Sequence, residues 1–508
     1  MGGSGIVVVR YQVTDLSGVP PQITSTNSFS GTVGVVFSNT VTASGSTPIT
    51  FSASNLPAGL TNSSNGLITG TPTIAGTNTV TLTASNAFGW TTQSATFAIQ
   101  RAPITIWVAT NGNDSTGTGS QASPYATLQK AIDGSQHGDT VMVRAGTYRG
   151  TGNRNINLQG KRITVRSEWG PQQTILDLER NQAFNAMAGE TLDTVLDGLQ
   201  IINGYLSIGF SGYDWNGAGI ITIGNGASLT IRNCIFANNE TVGTYSTNNT
   251  GIIVKQETGG TPLVTNCLFY NNRCGGGGIT GAYVVGTTGG SASPKYIEFN
   301  FCTFYGNTIT AGGYRHVVMS AGRVNNSIFW SNSPSNTVIM STNLWANAGT
   351  NPVTYSLNSS WGSLGGTGLI TNAPLFVDAA NGNFLPATNS PAVNAGDPAS
   401  PLDPDGTRAD IGYRPDRFTA PSGAIPPFFS TSYSFSGTVG VVFSNSVMAG
   451  GTVPITFIAS NLPAGLTNST NGLITGTPTI AGTNITTITA SNAAGSVSQA
   501  VTFVIAKG

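Results

Sequence analysis

Charged side chains are scarce in this sequence: they make up 8% of its 508 residues, where an ordinary globular protein has roughly 25%. The 20 Lys and Arg balance the 20 Asp and Glu, which excludes a basic face for nucleic acid or an anionic membrane. With two histidines and four cysteines, no Cys/His metal spacing appears, nor a phosphate-binding glycine loop or a serine-triad context. No apolar run approaches the roughly 20 residues of a membrane span, so insertion into a membrane is not expected. The start, MGGSGIVVVRYQV, lacks the basic residues and apolar length of a secretory signal. Either a signal has been removed or the chain is a piece of a longer protein.

What is abundant is glycine, 67 residues of it, with Ser, Thr and Asn interleaved among β-branched residues. That alternation is not the composition of a disordered chain. It points to an all-β protein with an extracellular or cell-surface type of exterior, long enough for about three domains.

A nine-residue motif occurs five times: LDGLQIING (196–204), IRNCIFANN (231–239), VTNCLFYNN (264–272), FNFCTFYGN (299–307) and VNNSIFWSN (324–332), at offsets of 35, 33, 35 and 25 residues. A fixed motif with elastic spacing puts each copy at an equivalent place in a stacked coil, with loops of variable length leaving the stack. The first position is always apolar, and in the three central copies so are the fourth and sixth (Cys234 and Phe236, Cys267 and Phe269, Cys302 and Phe304). Side chains alternate across a strand with period two, so a step of three requires a tight bend between two strands. Gly198, Asn233, Asn266 and Asn326 mark that bend at the third position, with Phe301 as the exception; Gly and Asn tolerate left-handed backbone. Asn239, Asn272, Asn307 and Asn332 close four of the copies. Strand, bend, strand, Asn and a Gly-rich run into the next strand describe one turn of a parallel β-helix, whose coils lie about 4.8 Å apart so that equivalent residues stack. About eight coils are expected. Cys234, Cys267 and Cys302 would form an inward column of free thiols, although the spacing also allows a disulfide between neighbouring coils. Serine in place of Cys267 would bury a hydroxyl with no assured partner, at about 1 to 3 kcal/mol.

Residues 19–102 return at 425–508 with a constant offset of 406, and between Phe29–Gly89 and Phe435–Gly495 50 of 61 positions are identical. Alternation in ITFSA (49–53), TVTLTA (79–84) and TFAI (96–99), with turn signals at Gly59, Gly66 and Gly76, is the pattern of a small β-sandwich. The phrases LPAGLTNSSNGLITGTPTIAGTNTVTLTASN and LPAGLTNSTNGLITGTPTIAGTNITTITASN resemble the Ig-like, cadherin-like repeats of bacterial surface proteins. That resemblance implies spacing, adhesion or carbohydrate contact, and no catalytic residues.

The middle domain, 103–415, opens with ITIWVATNGNDSTGTGSQASPYATLQKAIDGSQHGDTVMVRAGTYRG (104–150). Ser123 is the expected N-cap and Pro124 the first residue of a short helix with Tyr125, Leu128, Ala131 and Ile132 on one face. The domain closes with NAPLFVDAANGNFLPATNSPAVNAGDPASPLDPDGTRADIGYRP (372–415). Both phrases resemble the pectate-lyase-like, right-handed parallel β-helix proteins of bacteria, especially those with a choice-of-anchor type of tail. The expected fold is therefore all-β: a right-handed parallel β-helix flanked by two Ig-like β-sandwiches. A strand segment at 1–18 precedes them, and a stiff linker at 416–424, inside the proline-bearing stretch Arg414–Pro427, joins the second sandwich.

β-Helix enzymes act on polysaccharide in a groove along the stack, with acids that hold calcium or move protons and an Arg or Lys as base. The strands expected to line it are GAGIITIG (217–224), TGIIVKQE (250–257), ITGAYVV (279–285) and GGYRHVV (312–318). They offer Lys255, Glu257, Arg315 and His316 and no clustered carboxylates; Arg315, His316 and Lys255 are the catalytic candidates, against the plainer reading of a solvated surface. Asp214 and Trp215 are candidates for stacking a sugar ring. Asp403 and Asp405 of DPDG offer oxygens at i and i+2 to calcium, the one cofactor the sequence admits; the plainer reading is turn chemistry capping the lower end of the helix.

Three functions fit these features. The first is a non-enzymatic structural or adhesive protein, a repeating subunit of a surface array or filament. The second is a polysaccharide lyase or glycoside hydrolase on Ig-like spacers, and the third a carbohydrate-binding surface module. Converging carboxylates would favour the second, an aromatic-lined shallow face the third, and large contacts between chains the first. Under the first reading the partner is another copy, head to tail. The second sandwich ends at Gly508, the equivalent of Ala102, where the first hands over to the β-helix. The strand of Ile6, Val7, Val8, Val9 and Tyr11 lacks a local hairpin partner and would seek an open sheet edge, in its own chain or in the next.

Overall fold

Residues 18–208, 218–243, 250–256, 259–275, 281–287, 297–311, 314–333, 338–340, 353–359, 366–419, 427, 429, 434–447, 449, 455–493 and 495–508 are described by a computed structural model. The aliphatic strand at Ile6–Tyr11 lies outside the described residues. The chain divides into two units, Met1–Pro103 and Ile104–Gly508.

In the first unit Ser28–Thr32, Gly89–Gln100, Gly76–Asn86 and Thr50–Ser54 form a sheet in that order, across a shared core from Phe37–Thr40, Leu67–Gly70 and Leu60–Asn62. Period-two alternation buries Val80, Leu82 and Ala84 while Thr79 and Thr81 face water. Phe29 stacks on Phe97 in that core, with centroids 4.6 Å apart. Gly66 turns at φ +90° with Val41 O 2.3 Å from where a Cβ would sit, so the Asn65-Gly66 turn admits no side chain. The copy in the second unit repeats the sheet order: Ser434–Thr438, Gly495–Ala506, Gly482–Asn492 and Thr456–Ser460 in one sheet, Phe443–Ser446, Leu473–Gly476 and Leu466–Asn468 in the other.

The motif copies build the parallel β-helix. First positions pair in register from Leu196 through Ile231, Val264, Phe299 and Val324 to Val353. Sixth positions pair likewise from Ile201 through Phe236, Phe269 and Phe304 to Phe329. Among the described residues the column holding the sixth positions has eight parallel strands, from Gly146–Tyr148 to Leu357–Asn358, in line with the expected number of coils. Third positions bend in left-handed backbone, with φ from +48° to +71°, and Phe301 bends with them at +54°. The eighth positions, Asn203, Asn238, Asn271, Gly306 and Ser331, make a second bend at +53° to +62°. After it comes a further short column, Tyr205–Ile208, Glu240–Gly243, Arg273–Gly275 and Thr308–Ala311, where the sequence suggests only a Gly-rich run. Thr241, Cys274 and Ile309 fill its inward positions, a mixed set too short to show a period. The strands Ala218–Ile223, Thr250–Lys255 and Gly281–Thr287 follow, and Tyr314–Asn325 runs from this last column into the first, making one sheet of the two.

The short helix begins later than Ser123 and Pro124 suggest. It spans Leu128–Gly134, capped by the Thr127 hydroxyl, which accepts from Lys130 N. The Asp114 carboxylate accepts from Ala126 N, Thr127 N and Thr127 Oγ1 at 2.8, 3.1 and 2.7 Å and holds that stretch extended, so Tyr125 pairs beside Val108 instead of entering the helix. Leu128, Ala131 and Ile132 are fully buried with Ile106 and Val108 of the first strand.

Like stacks on like through the core. Phe236, Phe269, Phe304 and Phe329 lie face to face, centroids 4.7, 4.7 and 4.9 Å apart and planes within 7°. Cys234, Cys267, Cys302 and also Cys274 are buried free thiols. Each thiol of the fourth-position column points at the carbonyl two residues back, 3.2 to 3.4 Å away. Ser327 and Ser356, which continue the column, donate to the same carbonyl position at 2.8 Å. A hydroxyl therefore has a partner at this site, contrary to the expectation that it would be stranded. The ninth-position asparagines form a ladder: Asn239 Nδ2 donates to Ile201 O (2.9 Å) and to Asn272 Oδ1 (3.0 Å), which also accepts from Asn239 N (3.1 Å). The same set links Asn272 to Asn307 and Asn307 to Asn332.

Two substitutions separate these columns. Asn272→Ala strands the Phe236 carbonyl and the Asn239 donors in the interior and is expected to lower stability by about 2–4 kcal/mol. Cys267→Ser, with a carbonyl in reach, is expected to cost less than about 1 kcal/mol. Denaturant midpoints of the two variants against the parent check the contrast, and thiol titration of the unfolded, unreduced chain should count four free cysteines.

Candidate functional site

Every residue of Thr250–Lys255 is buried, and Lys255 with them, its Nζ 3.5 Å from Ala227 O. Lys255, expected on a strand lining an open groove, is instead fully buried in register with Ile223 and Thr287. Arg315 and His316 pair with Ala282 and Tyr283; their side chains lie outside the described residues, as do Asp214, Trp215 and Glu257.

The developed polar structure lies along the third-position bends, where the closing tail returns beside the stack. Asp397 N donates to Asn326 Oδ1 (2.6 Å) and Gly412 N to Asn326 O (2.7 Å). Tyr413 N donates to Thr303 Oγ1 (2.9 Å), one coil earlier. A further coil back, Asn266 holds Arg414 by both backbone groups, Oδ1 accepting from its N and Nδ2 donating to its O, each at 2.8 Å. Phe384 packs between Tyr270 and Tyr305, centroids 5.1 and 4.9 Å away. The tail thus straps several coils together along one side instead of only capping the lower end, because an outward asparagine amide can pair with extended backbone as a neighbouring strand would. The packed tail continues to Phe418, whose ring lies 5.3 Å under the Arg166 guanidinium.

Asp403 ties the strap. Its Oδ1 accepts from Arg417 Nη2 and Nε (2.7 and 3.2 Å), and its Oδ2 from Arg414 Nη1 and Asp410 N (3.1 and 2.8 Å). Arg414 also pairs with Asp410 and Asp416. Burial pushes the Arg417 pKa below its ordinary value, opposed by the hydrogen bond and charge of Asp403. At Arg414 burial acts the same way, but Asp416, with Asp410 and Asp403, carries the pKa above it. The Arg417 guanidinium also covers the Phe301 ring at 3.8 Å. Asp405 is separate, its carboxylate closing a turn onto Thr407 N and Oγ1 (2.9 and 2.7 Å). The two carboxylates offered to calcium by the sequence are thus each engaged by protein donors, and among the described residues no group of three or more His, Cys, Asp or Glu could hold a metal ion.

Above the Arg414 register, a cavity of about 370 Å³ opens between the stack and the tail, lined by Arg166, Asp197, Arg232, Asn233 and Thr265 among others. Sequence reasoning marks Asn233 as a bend but passes over Arg166, Asp197, Arg232 and Thr265, though a signal exists: Asp197, Arg232 and Thr265 all hold the polar second position of the motif.

Comparison with known proteins covers parts of the chain. The family described as "Putative Ig domain" matches residues 17–102 and 426–506, and the family "Protein of unknown function (DUF1565)" matches 110–158. The chain thus carries two Ig-like domains with a parallel β-helix between them in sequence. No curated protein matches it. Solved structures similar to it include a rhamnogalacturonan lyase (17% identity over 50% of this chain and 67% of that one, TM-score 0.33). Pectate lyase Pel9A is similar at 15% identity over 61% of this chain and 96% of that one, TM-score 0.33. A candidate alpha-galactosidase/melibiase from Bacteroides fragilis shares 21% identity over 27% of this chain, TM-score 0.16, and the chain spans 29% of its length.

Removing the knot should loosen the strap. Asp403→Ala leaves Arg414 and Arg417, whose side chains are 16% and 14% exposed, without their shared carboxylate. The expected loss is about 2–4 kcal/mol, with new tryptic cleavage in the tail. Asp405→Ala should stay within about 0.5 kcal/mol of the parent, and added calcium should leave the unfolding midpoint of the parent unchanged.

Proposed function

We propose that the chain is a non-enzymatic structural or adhesive protein, working outside the cell or on its surface, whose copies join head to tail into an array or filament. The observation that carries this reading is an exposed aliphatic trio present on both sandwiches: Val35, Val36 and Ile74 on the first, Val441, Val442 and Ile480 on the second. In each module the valine turn is tied to the segment before the isoleucine, Gly34 N to Pro72 O and Gly440 N to Pro478 O, both 3.0 Å. Single exposed aliphatics are ordinary on protein surfaces. A trio kept in both modules, while Thr79 and Trp90 have become Ile485 and Ser496, supports a surface that a partner would cover in each.

Two further features support the reading. A stack held by hydrogen-bonded coils is a stiff spacer, and a surface with 8% charged residues and no net charge sets up little repulsion between copies. The strand Ile6, Val7, Val8, Val9 and Tyr11 would join one copy to a sheet edge of the next.

Electron microscopy of the purified chain is expected to show polymers. Deleting residues 1–13, or placing Asp at both Val36 and Val442, should leave folded monomers. A deletion variant that forms the same filaments would remove the strand as connector, and a parent that stays monomeric would remove the filament. A panel of acidic and neutral polysaccharides, read for unsaturated products and new reducing ends, should show no turnover; turnover abolished by Arg315→Ala would replace this reading with the lyase or hydrolase.

A further inference from the structure

Neither sandwich carries a charged side chain. Between Val19 and Gln100, and between Ile425 and Ala506, there is no Asp, Glu, Lys, Arg or His, where stretches of that length ordinarily hold roughly 20 charged residues each. Apart from Arg10, Asp15 and Lys507, every charge of the chain lies from Arg101 to Arg417. Domains that must stay apart in solution keep charges on their surfaces and lysines on their sheet edges; these two do neither. A charged surface laid on them would give up its water without meeting a counter-charge. An uncharged one loses nothing of the kind, and on this chain the uncharged surfaces are the sandwiches themselves. The two also differ in a directed way. Alternation turns one side of Thr50–Ser54, Gly76–Asn86 and Gly89–Gln100 away from the core, and their counterparts 406 residues on do the same. On that outer face Ser52, Thr79 and Ala98 of the first module are replaced in the second by Ile458, Ile485 and Val504, which are 64%, 63% and 47% exposed. Ile485 lies opposite Thr502 and Val504 opposite Thr483, which makes the two aliphatics diagonal neighbours. In the other direction Trp90, 70% exposed on the first face, is replaced by Ser496. Each face is thus bulky where the other is small, and the threonines between these positions are common to both.

We propose that the outer sheet face of the second sandwich docks on the outer sheet face of the first sandwich of another copy, in a contact that uses no charge. The proposal rests on the reading of the chain as a self-assembling protein and names the two surfaces that meet. Antiparallel sheets pack face to face about 10 Å apart with interdigitating side chains, and the large side chains of one face need small ones opposite. Ile458, Ile485 and Val504 supply the large set on one side and Trp90 on the other. A pair of second sandwiches would leave Trp90 uncovered, and a pair of first sandwiches would leave the three aliphatics uncovered. The contact gains from apolar burial and from hydrogen bonds between threonine hydroxyls, neither of which depends on ionisation.

Sedimentation of the full chain, with electron microscopy of the same samples, tests the contact. Ile458→Ser, Ile485→Thr and Val504→Ala made together give the second face the side chains that the first already carries on the same sheet, and Trp90→Ser gives the first face that of the second. Both variants are therefore expected to keep the parent unfolding midpoint. Each should raise the concentration at which copies associate by about tenfold or more. The parent's own value should stay within about twofold between roughly 0.05 and 1 M sodium chloride, because no charge is there to screen. Association of both variants at the parent's concentration would overturn the contact and leave the filament to the valine turns or the N-terminal strand. Loss in the triple variant alone would overturn the choice of the first sandwich as partner, and association that weakens steeply with salt would overturn the charge-free contact. A closed dimer lost in both variants would support the contact while removing the filament, and a parent monomeric throughout would overturn both.

Discussion

Left-handed backbone at two points of every motif copy is the constraint on which the middle of this protein depends. A non-glycine residue held there costs of order 1–3 kcal/mol, and the five copies ask for it at both their third and eighth positions. Asparagine lowers the cost, and its amide then does something glycine cannot. Asn266 Nδ2 donates to Asn233 Oδ1 at 2.8 Å and Asn233 Nδ2 to Asp197 at 2.7 Å, so the bends of successive coils are fastened to each other. The ninth-position ladder fastens the next corner, with each amide also taking a carbonyl of the strand stacked beside it. Phe301 shows the same constraint from the other side, since it bends without an amide and has the Arg417 guanidinium laid over its ring.

Stacking also accounts for the composition. A side chain repeated at one motif position meets its own kind about 4.8 Å away. For phenylalanine, thiols and amides that is favourable; for like charges it is repulsive at a range where solvent screens little. Outward rows must therefore be neutral or alternate in sign, and the row Arg166, Asp197 and Arg232 alternates before continuing uncharged through Thr265, Asn300 and Asn325. A chain built this way has few charges, and those it has are placed with their neighbours in view.

The parity shift inside each nine-residue copy was enough to read the first bend, the inward cysteine and phenylalanine columns and the number of coils, because each is a local pattern written several times. The second bend was not legible: its residues, two Asn before the ladder or Gly and Ser in their place, look like ordinary turn composition. Nor was the burial of Lys255, since a strand covered on both faces and one lining a groove share a sequence pattern. The two sandwiches were readable from alternation and from their duplication. The helix start was misplaced because Asp114, a carboxylate distant in sequence, decides where Thr127 sits. The tail's path depends on contacts such as Arg414 with Asn266, 148 residues apart, which no local pattern announces.

The strap and the cavity come from one feature of the stack. A row of outward amides at the bends is a rail on which extended chain can lie, and the tail uses it at Asn326 and Asn266. At Asn233 the rail changes character, because the amide there is taken up by Asp197 and Asn266 and the charged row begins alongside. Backbone can no longer be gripped at that register, and the tail crosses it with the Phe418 ring set against Arg166 and Gly198 instead. The gap between the last gripped residue and that ring is the cavity. Its charged wall follows from the alternating row alongside, and its polar walls from the bends that stacking requires.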